Sequence, residues 1–537
     1  MLMAPRDTPT INLLFLILLL VSSLFSPVVL SDSLQPECYN VPSSVFLTFV
    51  QSAIDAVREV GSLVSKFSNT FDDFRLSNAI NDCVDLLNFS ADELTWTLTT
   101  SQNPSSKDYS TGNRVSDIRA WLSGALGNQD TCTEGFEGTS SFVKGVITGS
   151  LGQVNSLVGD LLGMLRVQRH DTDISGETAR KTSSGKGRKL LVGPGERGNG
   201  FPEWVKAGDR RLLQTQSQGV SADVVVAADG TGNYTRVMDA LEAAPDNSTR
   251  RYVIYVKKGL YMENVDIQKN KWNLMIIGDG MDVTVISGNR SFIDGWTAFR
   301  SATFAVSGMG FIARDLTFQN TAGPEKHQAV AIRVVSDLSV FFRCGFRGYQ
   351  DTLYAHSLRQ FYRECHITGT VDFIFGHGAV VFQNCQILAK LALPDQKNSI
   401  TAQGRKEPGQ NSGFIIQFSN ISADSDLLAA GPNSTLTYLG RPWKLYSRTV
   451  FMQSYMSSII RPEGWLEWQG NFALDTLFYG EYMNYGPGTA LRNRVKWPGY
   501  HAINDSIQAS NFTVAKFIDG NFWLPTTGVN YTAGLTT

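Results

Sequence analysis

The chain has 537 residues, too many for one ordinary core, so two or more domains are expected. Its 42% hydrophobic and 18% charged residues, with a formal net charge of −2, describe a globular protein and exclude the strongly basic surface of a nucleic-acid binder. A slight acidic excess lies before residue 214 and a slight basic excess after it, so domains of opposite sign are expected.

An apolar run from Ile11 to Phe25 follows Arg6 and reads as the core of a secretory signal within residues 1–30. The apolar character fades slowly to Leu30, so an uncleaved membrane anchor is the alternative. Export agrees with N-x-S/T sequons at Asn88, Asn233, Asn247, Asn289, Asn420, Asn433, Asn504, Asn511 and Asn530. Six cysteines in an exported chain, with no C-x-x-C pair, point to disulfides and not to metal ligands. No metal and no cofactor is expected.

Between about 43 and 168 the apolar residues recur at steps of three and four. Phe46, Val50, Ala53, Ile54 and Val57 form one stripe, and Leu76, Ile80, Cys83 and Leu87 a second. Ile118, Leu122 and Ala125 form a third, and Val143, Ile147, Leu151, Val154 and Val158 a fourth. Four amphipathic helices cover one another most simply as a four-helix bundle, placed at 34–168. From 169 to 220 Gly, Ser, Lys and Arg replace this pattern, as in a linker. Its basic tetrapeptides, "RKLL" at 188–191 and "RRLL" at 210–213, are accessible to a processing protease.

From 221 to 537 the pattern is all-β. Short runs such as "RYVIYVKKG", "NLMIIGDG", "LSVFFRCGFRG" and "AVVFQNCQILAK" follow one another, most of them with no helical stretch between. Cys344, Cys365 and Cys385 repeat at spacings of 21 and 20, the period of a solenoid coil, so a parallel β-helix is expected over a sandwich or propeller. Asp351 and Asp372 each lie seven residues beyond a repeating cysteine. With one coil per 21 residues they stack on adjacent strands, ~4.8 Å apart. Two carboxylates that close in a partly dry groove divide their protonation, one pKa rising and the other staying low, as an acid and a nucleophile require. The structural alternative is an Asp ladder at a solenoid turn. Tyr349, Tyr354, Phe373 and Phe375 around the pair suit sugar stacking, or equally an ordinary solenoid core. The same stacking allows either Cys344–Cys365 or Cys365–Cys385 as a disulfide, and Cys83 with Cys132 can close a loop between two helices.

Five segments in order, "GLYMENV" (259–265), "QAVAIR" (328–333), "YQDTL" (349–353), "DFIFG" (372–376) and "LGRPW" (439–443), resemble the signature motifs of plant pectin methylesterases. "NDCVDLL" and "NQDTCTEGF" in the helical half resemble the pectin methylesterase inhibitor domain. The resemblance implies a right-handed parallel β-helix, secretion to the cell wall (apoplast) and release from an inhibitor-like pro-region by cutting in the linker. It implies an aspartyl esterase (pectinesterase) that hydrolyses methyl esters of homogalacturonan to pectate and methanol. Methylesterified homogalacturonan, a processing protease and separate inhibitor proteins are the implied partners. Asp372 matches the nucleophile, Asp351 the general acid, Gln350 and Gln328 the amides that hold the oxyanion, and Arg441 the partner of Asp372. Thr297 and Trp443, together with Gln328 and Arg441, match substrate contacts, and Tyr354, Phe375 and Trp465 are further aromatic contacts. The family's disulfides map to Cys365–Cys385 and Cys83–Cys132. One departure stands out: where inhibitor domains carry two closely spaced cysteines near their start, this chain has Cys38 alone, so that hairpin bridge is expected to be absent and the pro-region's competence as an inhibitor is open.

These roles make chemical sense. A guanidinium fork matches a carboxylate's two oxygens. Neutral amides stabilise an oxyanion without a net charge that would retain the acidic product. A serine esterase is disfavoured because no G-x-S-x-G occurs, and a metalloprotease because no H-E-x-x-H occurs. An inverting glycosidase needs carboxyl groups ~6.5–9.5 Å apart, farther than adjacent coils place them. The remaining rival is a non-catalytic wall-binding or inhibitor protein.

Overall fold

A computed structural model describes residues 38–166 and 221–536, apart from 69, 105–108, 140–141 and 432. The expected signal or anchor segment and the processing linker, with both basic tetrapeptides, lie outside the described residues. No described helix is long and apolar enough to cross a membrane.

Four helices form the N-terminal half: α1 (Ser43–Ser65), α2 (Phe74–Gln102), α3 (Arg114–Glu134) and α4 (Phe142–Met164). Side-chain caps start two of them. Asp73 accepts from the Leu76 amide at the head of α2, and Asn113 accepts from the Ser116 amide at the head of α3, each satisfying a donor that a helix start leaves open. Helix α1 buries the stripe Phe46, Val50, Ala53, Ile54, Val57, Val60 and Val64, and α4 buries Val143, Ile147, Leu151, Val154, Val158 and Leu161. The expected Cys83–Cys132 disulfide ties α2 to α3.

Helix α3 departs from the single-stripe expectation. Its run from Ala120 to Gln129 is buried on every face, including Trp121, Asn128 and Gln129. One side faces the bundle; the other packs on the C-terminal half.

That half is a parallel β-helix of three sheets with eleven, seven and eight strands, every ladder parallel. Its interior is a stack of rings: Phe341, Tyr362 and Phe382 sit one per coil with centroids 4.8 Å apart at each step. Register in the seven-stranded sheet runs Ile332, Leu353, Ile374 and Thr401. The period of 21 therefore holds for two steps, after which inserted loops lengthen the coils.

Cys344, Cys365 and Cys385 do stack on one interior row, fully buried, but as thiols. The expected Cys365–Cys385 disulfide is not formed. The Cys365 thiol instead donates to the Phe341 and Arg363 carbonyls at 3.3 and 3.4 Å, and Cys385 to the Tyr362 and Gln383 carbonyls at 3.6 Å. In-register parallel strands hold equivalent side chains nearly a full strand spacing apart, whereas a disulfide draws its Cβ atoms to ~3.8 Å.

Candidate active site

In the seven-stranded sheet QAVAIR, YQDTL and DFIFG lie on three consecutive strands, and LGRPW follows one strand further on. Strands Ile332–Val334, Leu353–Tyr354, Ile374–Gly376, Asn398–Gln403 and Thr437–Gly440 lie side by side. Leu353 pairs with Ile374 and Tyr354 with Phe375. The same offset of 21 puts Asp351 over Asp372 at the turn that feeds each strand. Both aspartates adopt left-handed backbone, φ 62° and 51°, a conformation that Asp tolerates better than most residues and that recurs at functional sites. They are 7% and 6% exposed, at the floor of a cavity of about 260 Å³.

Arg441 reaches Asp372 across two coils. Its Nε donates to Oδ1 at 2.8 Å and its Nη2 to Oδ2 at 2.6 Å. The fork leaves Asp372 oriented, with a cation beside both oxygens. Burial pushes the Asp351 carboxyl well above the usual range, and the nearby Asp372 adds to this against the pull of Arg441. The pair is therefore differentiated: the Asp351 carboxyl is harder to ionise than that of an isolated aspartate.

Gln328 and Gln350 line the same cavity. Gln328 follows the turn Pro324–Lys326 and the left-handed His327 (φ 56°). Its carbonyl accepts from the Phe292 amide at 2.9 Å, and the Gln350 carbonyl accepts from the Ala329 amide at 3.3 Å. Their backbones are thus anchored, and among the described residues neither side-chain amide has a protein partner, so both are available to a ligand.

Thr297, Tyr354, Phe375 and Trp443 line the same cavity. Tyr354 stacks on Phe375 at 4.1 Å, and Phe375 meets Trp443 edge-on at 5.9 Å. Trp465 does not join them. It is 1% exposed inside the coil, stacked on Tyr479 at 4.1 Å, with its indole N–H donating to Glu481. The ring on the cavity wall is Trp468, with the Arg441 guanidinium 4.4 Å from its centroid. In "GWLEWQG" either tryptophan fits a loop position, and only the path of the loop decides which faces outward. Phe292 and Phe299, also in the wall, carried no motif signal.

The helical half closes the cavity on one side: Thr131, Glu134, Gly135 and Glu137 are part of its lining. The Thr131 hydroxyl lies 3.2 Å from the Tyr354 hydroxyl and 3.0 Å from His356 Nε2. Carboxylates of the bundle meet cations of the solenoid along the seam. Asp82 pairs with Arg300 Nε at 2.6 Å and accepts from the Thr297 hydroxyl. Asp92 pairs with Lys269 at 2.6 Å, Asp117 with Arg359 at 2.7 Å, Asp130 with Lys406 at 2.7 Å, and Glu134 with Lys444. Among the described residues no His/Cys/Asp/Glu group is arranged to hold a metal.

Comparison with known proteins agrees with this geometry. The family profile described as Pectinesterase matches residues 223–521, and that described as Plant invertase/pectin methylesterase inhibitor matches residues 23–164. The chain is 62% identical over 527 residues to the pectinesterase/pectinesterase inhibitor PPE8B of Prunus persica, covering 97% of this chain and 96% of that one. It is 60% identical over 523 residues to the probable pectinesterase/pectinesterase inhibitor 44 of Arabidopsis thaliana, covering 97% and 98%. The solved pectin methylesterase from carrot is similar to the β-helix, with 55% identity and a TM-score of 0.59 over 59% of this chain and all of that one. A parallel β-helix with stacked aspartates and an inhibitor-type bundle on its cleft, matched over nearly its whole length by such relatives, thus belongs to the pectinesterase family and carries an N-terminal domain of the pectin methylesterase inhibitor type.

Proposed function

We propose that the chain hydrolyses methyl esters of homogalacturonan to pectate and methanol, and that the stacked pair Asp351 and Asp372 performs the reaction. The observation that carries this reading is the asymmetry of the stacked pair: the Arg441 fork grips both oxygens of Asp372, while Asp351 has no such partner and burial beside Asp372 pushes its carboxyl well above the usual range. One oxygen of Asp372 attacks the ester carbonyl carbon. The Gln328 and Gln350 amides donate to the oxyanion as it forms. As the tetrahedral centre collapses, Asp351 gives its proton to the departing methoxy oxygen, and methanol leaves a galacturonyl–Asp372 anhydride. Asp351, now ionised, takes a proton from water, and the hydroxide attacks the anhydride. Free galacturonate leaves, Asp372 returns as carboxylate and Asp351 is again protonated. The rings of Tyr354, Phe375, Trp443 and Trp468 support the sugar faces, and Thr297 offers a hydroxyl to the substrate.

In the same reading the bundle restrains the enzyme, because α3 and the turn after it stand in the cleft that a polymer must cross. Cutting at one of the basic tetrapeptides frees the β-helix for work in the extracellular cell wall.

Replacing Asp372 with Asn keeps the shape and removes the nucleophile. In the processed protein, Asp372→Asn is expected to abolish methanol release from methylated pectin while circular dichroism and the melting transition are retained. A folded Asp372→Asn protein working at the wild-type rate would falsify the assignment.

A further inference from the structure

Of the nine sequons, Asn88 alone lies in the bundle. It opens the triplet N-F-S at 88–90, in the middle of α2, and it is exposed. Asp85, Asn88 and Asp92 recur at steps of three and four, so they share one face of the helix. Both aspartates of that face reach the β-helix: Asp85 pairs with Arg300, and Asp92 with Lys269. Asn88 therefore stands on the seam, between two ion pairs that join the halves.

The seam is open at this point. Asn88 lines a groove of about 510 Å³ between α2 and the β-helix, within the ~300–1,000 Å³ of ordinary small-ligand sites. Asn81 and Phe89 belong to its wall on α2, and Gln268 and Ser307 to its wall on the β-helix. Gln268 and Ser307 directly follow Ile267 and Val306, which are paired in register on the first two strands of the seven-stranded sheet, so they stand side by side. Among the described residues, the side chains of Asn81, Asn88, Gln268 and Ser307 have no hydrogen-bond partner. The charges of the groove are already matched: Arg300 with Asp85, Lys269 with Asp92 and Arg333 with Asp266. Free amides, a hydroxyl and one aromatic ring, with no unmatched charge, suit a neutral sugar, which offers hydroxyls to the first and a C–H face to the last.

The third residue of the sequon adds an order of events. Ser90 is fully buried, its hydroxyl turned to the Leu86 and Ala125 carbonyls at 3.1 and 3.3 Å. In the folded bundle the triplet is helical and its serine is hidden, so any sugar on Asn88 is attached before folding. The bundle then docks with the sugar in place, and the groove is the room that docking leaves for it.

We propose that Asn88 carries an N-linked glycan whose first sugars fill this groove and hydrogen-bond to Gln268 and Ser307, so that the glycan clasps the bundle to the β-helix. The donor is a lipid-diphosphate oligosaccharide. A bond forms from Asn88 Nδ2 to C1 of the first N-acetylglucosamine and the C1–O bond to the diphosphate breaks. The lipid diphosphate leaves with that electron pair, and Nδ2 gives up one proton. The clasp is independent of the chemistry at Asp351 and Asp372, and its test reads no enzyme activity.

The full precursor is secreted from cultured plant cells, and the peptide holding Asn88 is weighed by mass spectrometry. A glycan is expected there; an unmodified Asn88 overturns the inference. An endoglycosidase that cuts between the first two sugars is then applied to native and to urea-unfolded precursor. The Asn88 glycan is expected to resist in the native protein and to be cut in the unfolded one; equal cutting in both overturns the clasp. Finally the linker is nicked by a site-specific protease, and separation of the halves is followed by gel filtration across a urea series. Asn88→Gln is expected to weaken docking about tenfold, as for two hydrogen bonds across a wet seam. The pair Gln268→Ala and Ser307→Ala, which keeps the glycan, is expected to weaken it equally, and to add nothing in the Asn88→Gln background. Asn504→Gln, at an exposed sequon after the last strand of the eleven-stranded sheet, is expected to leave docking unchanged. Unaltered docking in Asn88→Gln, or the same loss from the Gln268 and Ser307 changes with and without the glycan, overturns the inference.

Discussion

A single methyl group placed in the seam tests whether the bundle holds the enzyme shut. Gly127 lies in the part of α3 buried on every face, and a Cβ there would come 3.0 Å from His377 Cβ and 3.2 Å from its Cγ. Comfortable carbon contacts are ~3.5–4.0 Å. Gly127→Ala must therefore move α3 off the cleft by about 0.5–1 Å, and the contacts from Thr131 to Tyr354 and His356 stretch with it. Overpacking of this kind costs about 1–3 kcal/mol, a factor of about 5–150 in the docking equilibrium. The gain in helix propensity from Gly to Ala, about 1 kcal/mol, is present whether the bundle is docked or not and cancels. In a precursor with Arg188, Lys189, Arg210 and Arg211 replaced by alanine to block cutting, methanol release from pectin is expected to rise by that factor. Gly152→Ala in α4, where no atom lies within 4 Å of the new methyl, supplies the same helix gain without the clash and is expected to change nothing. If the Gly127→Ala precursor stays as silent as Gly152→Ala, with equal hydrogen-exchange protection in α3, the bundle does not restrain the enzyme through this seam.

Two further outcomes are expected. His377 is fully covered; burial lowers its pKa to about 4, with Lys444 and Lys406 acting in the same direction and Asp130 and the Gly404 carbonyl opposing. A depressed histidine pKa means the docked fold binds the neutral ring, so its contribution is complete above about pH 6.5 and is lost as pH falls through about 4, by up to about 3 kcal/mol. Urea unfolding of the precursor at pH 7 and 4.5 should accordingly show a smaller acid loss for His377→Asn than for wild type; equal losses would contradict the sign worked here, and Asp82, pushed up to about 6 by burial, is common to both proteins. The two tryptophans should separate cleanly: Trp468→Ala raises KM for pectin with little change in melting, whereas Trp465→Ala removes a core ring at about 3–5 kcal/mol of stability. The reverse pattern would mean that Trp465 faces the substrate.

Much of the site was legible in the primary structure because a solenoid turns sequence spacing into distance. A repeat of 21 put Asp351 over Asp372, and the same arithmetic aligned Tyr354 with Phe375. Arithmetic failed where chain leaves the repeat. Trp465 and Trp468 sit on a loop, so no period says which faces inward. The cysteine row was aligned correctly, yet alignment at strand spacing does not bring sulfurs into bonding distance, and Cys365 and Cys385 are thiols.

By itself, then, the sequence determined the local facts: four apolar stripes that must be covered, a coil period that stacks two carboxylates, and turn residues that tolerate a left-handed backbone. Only the tertiary structure decided which face of α3 met what. Its residues from Ala120 to Gln129 are buried well beyond their apolar stripe because they are covered twice, by the bundle and by the cleft. Which carboxylate neutralises which cation across that seam was likewise undecided. Asp82 and Arg300 are more than two hundred positions apart, and their pairing depends on how two finished surfaces dock, which no periodicity within either half encodes.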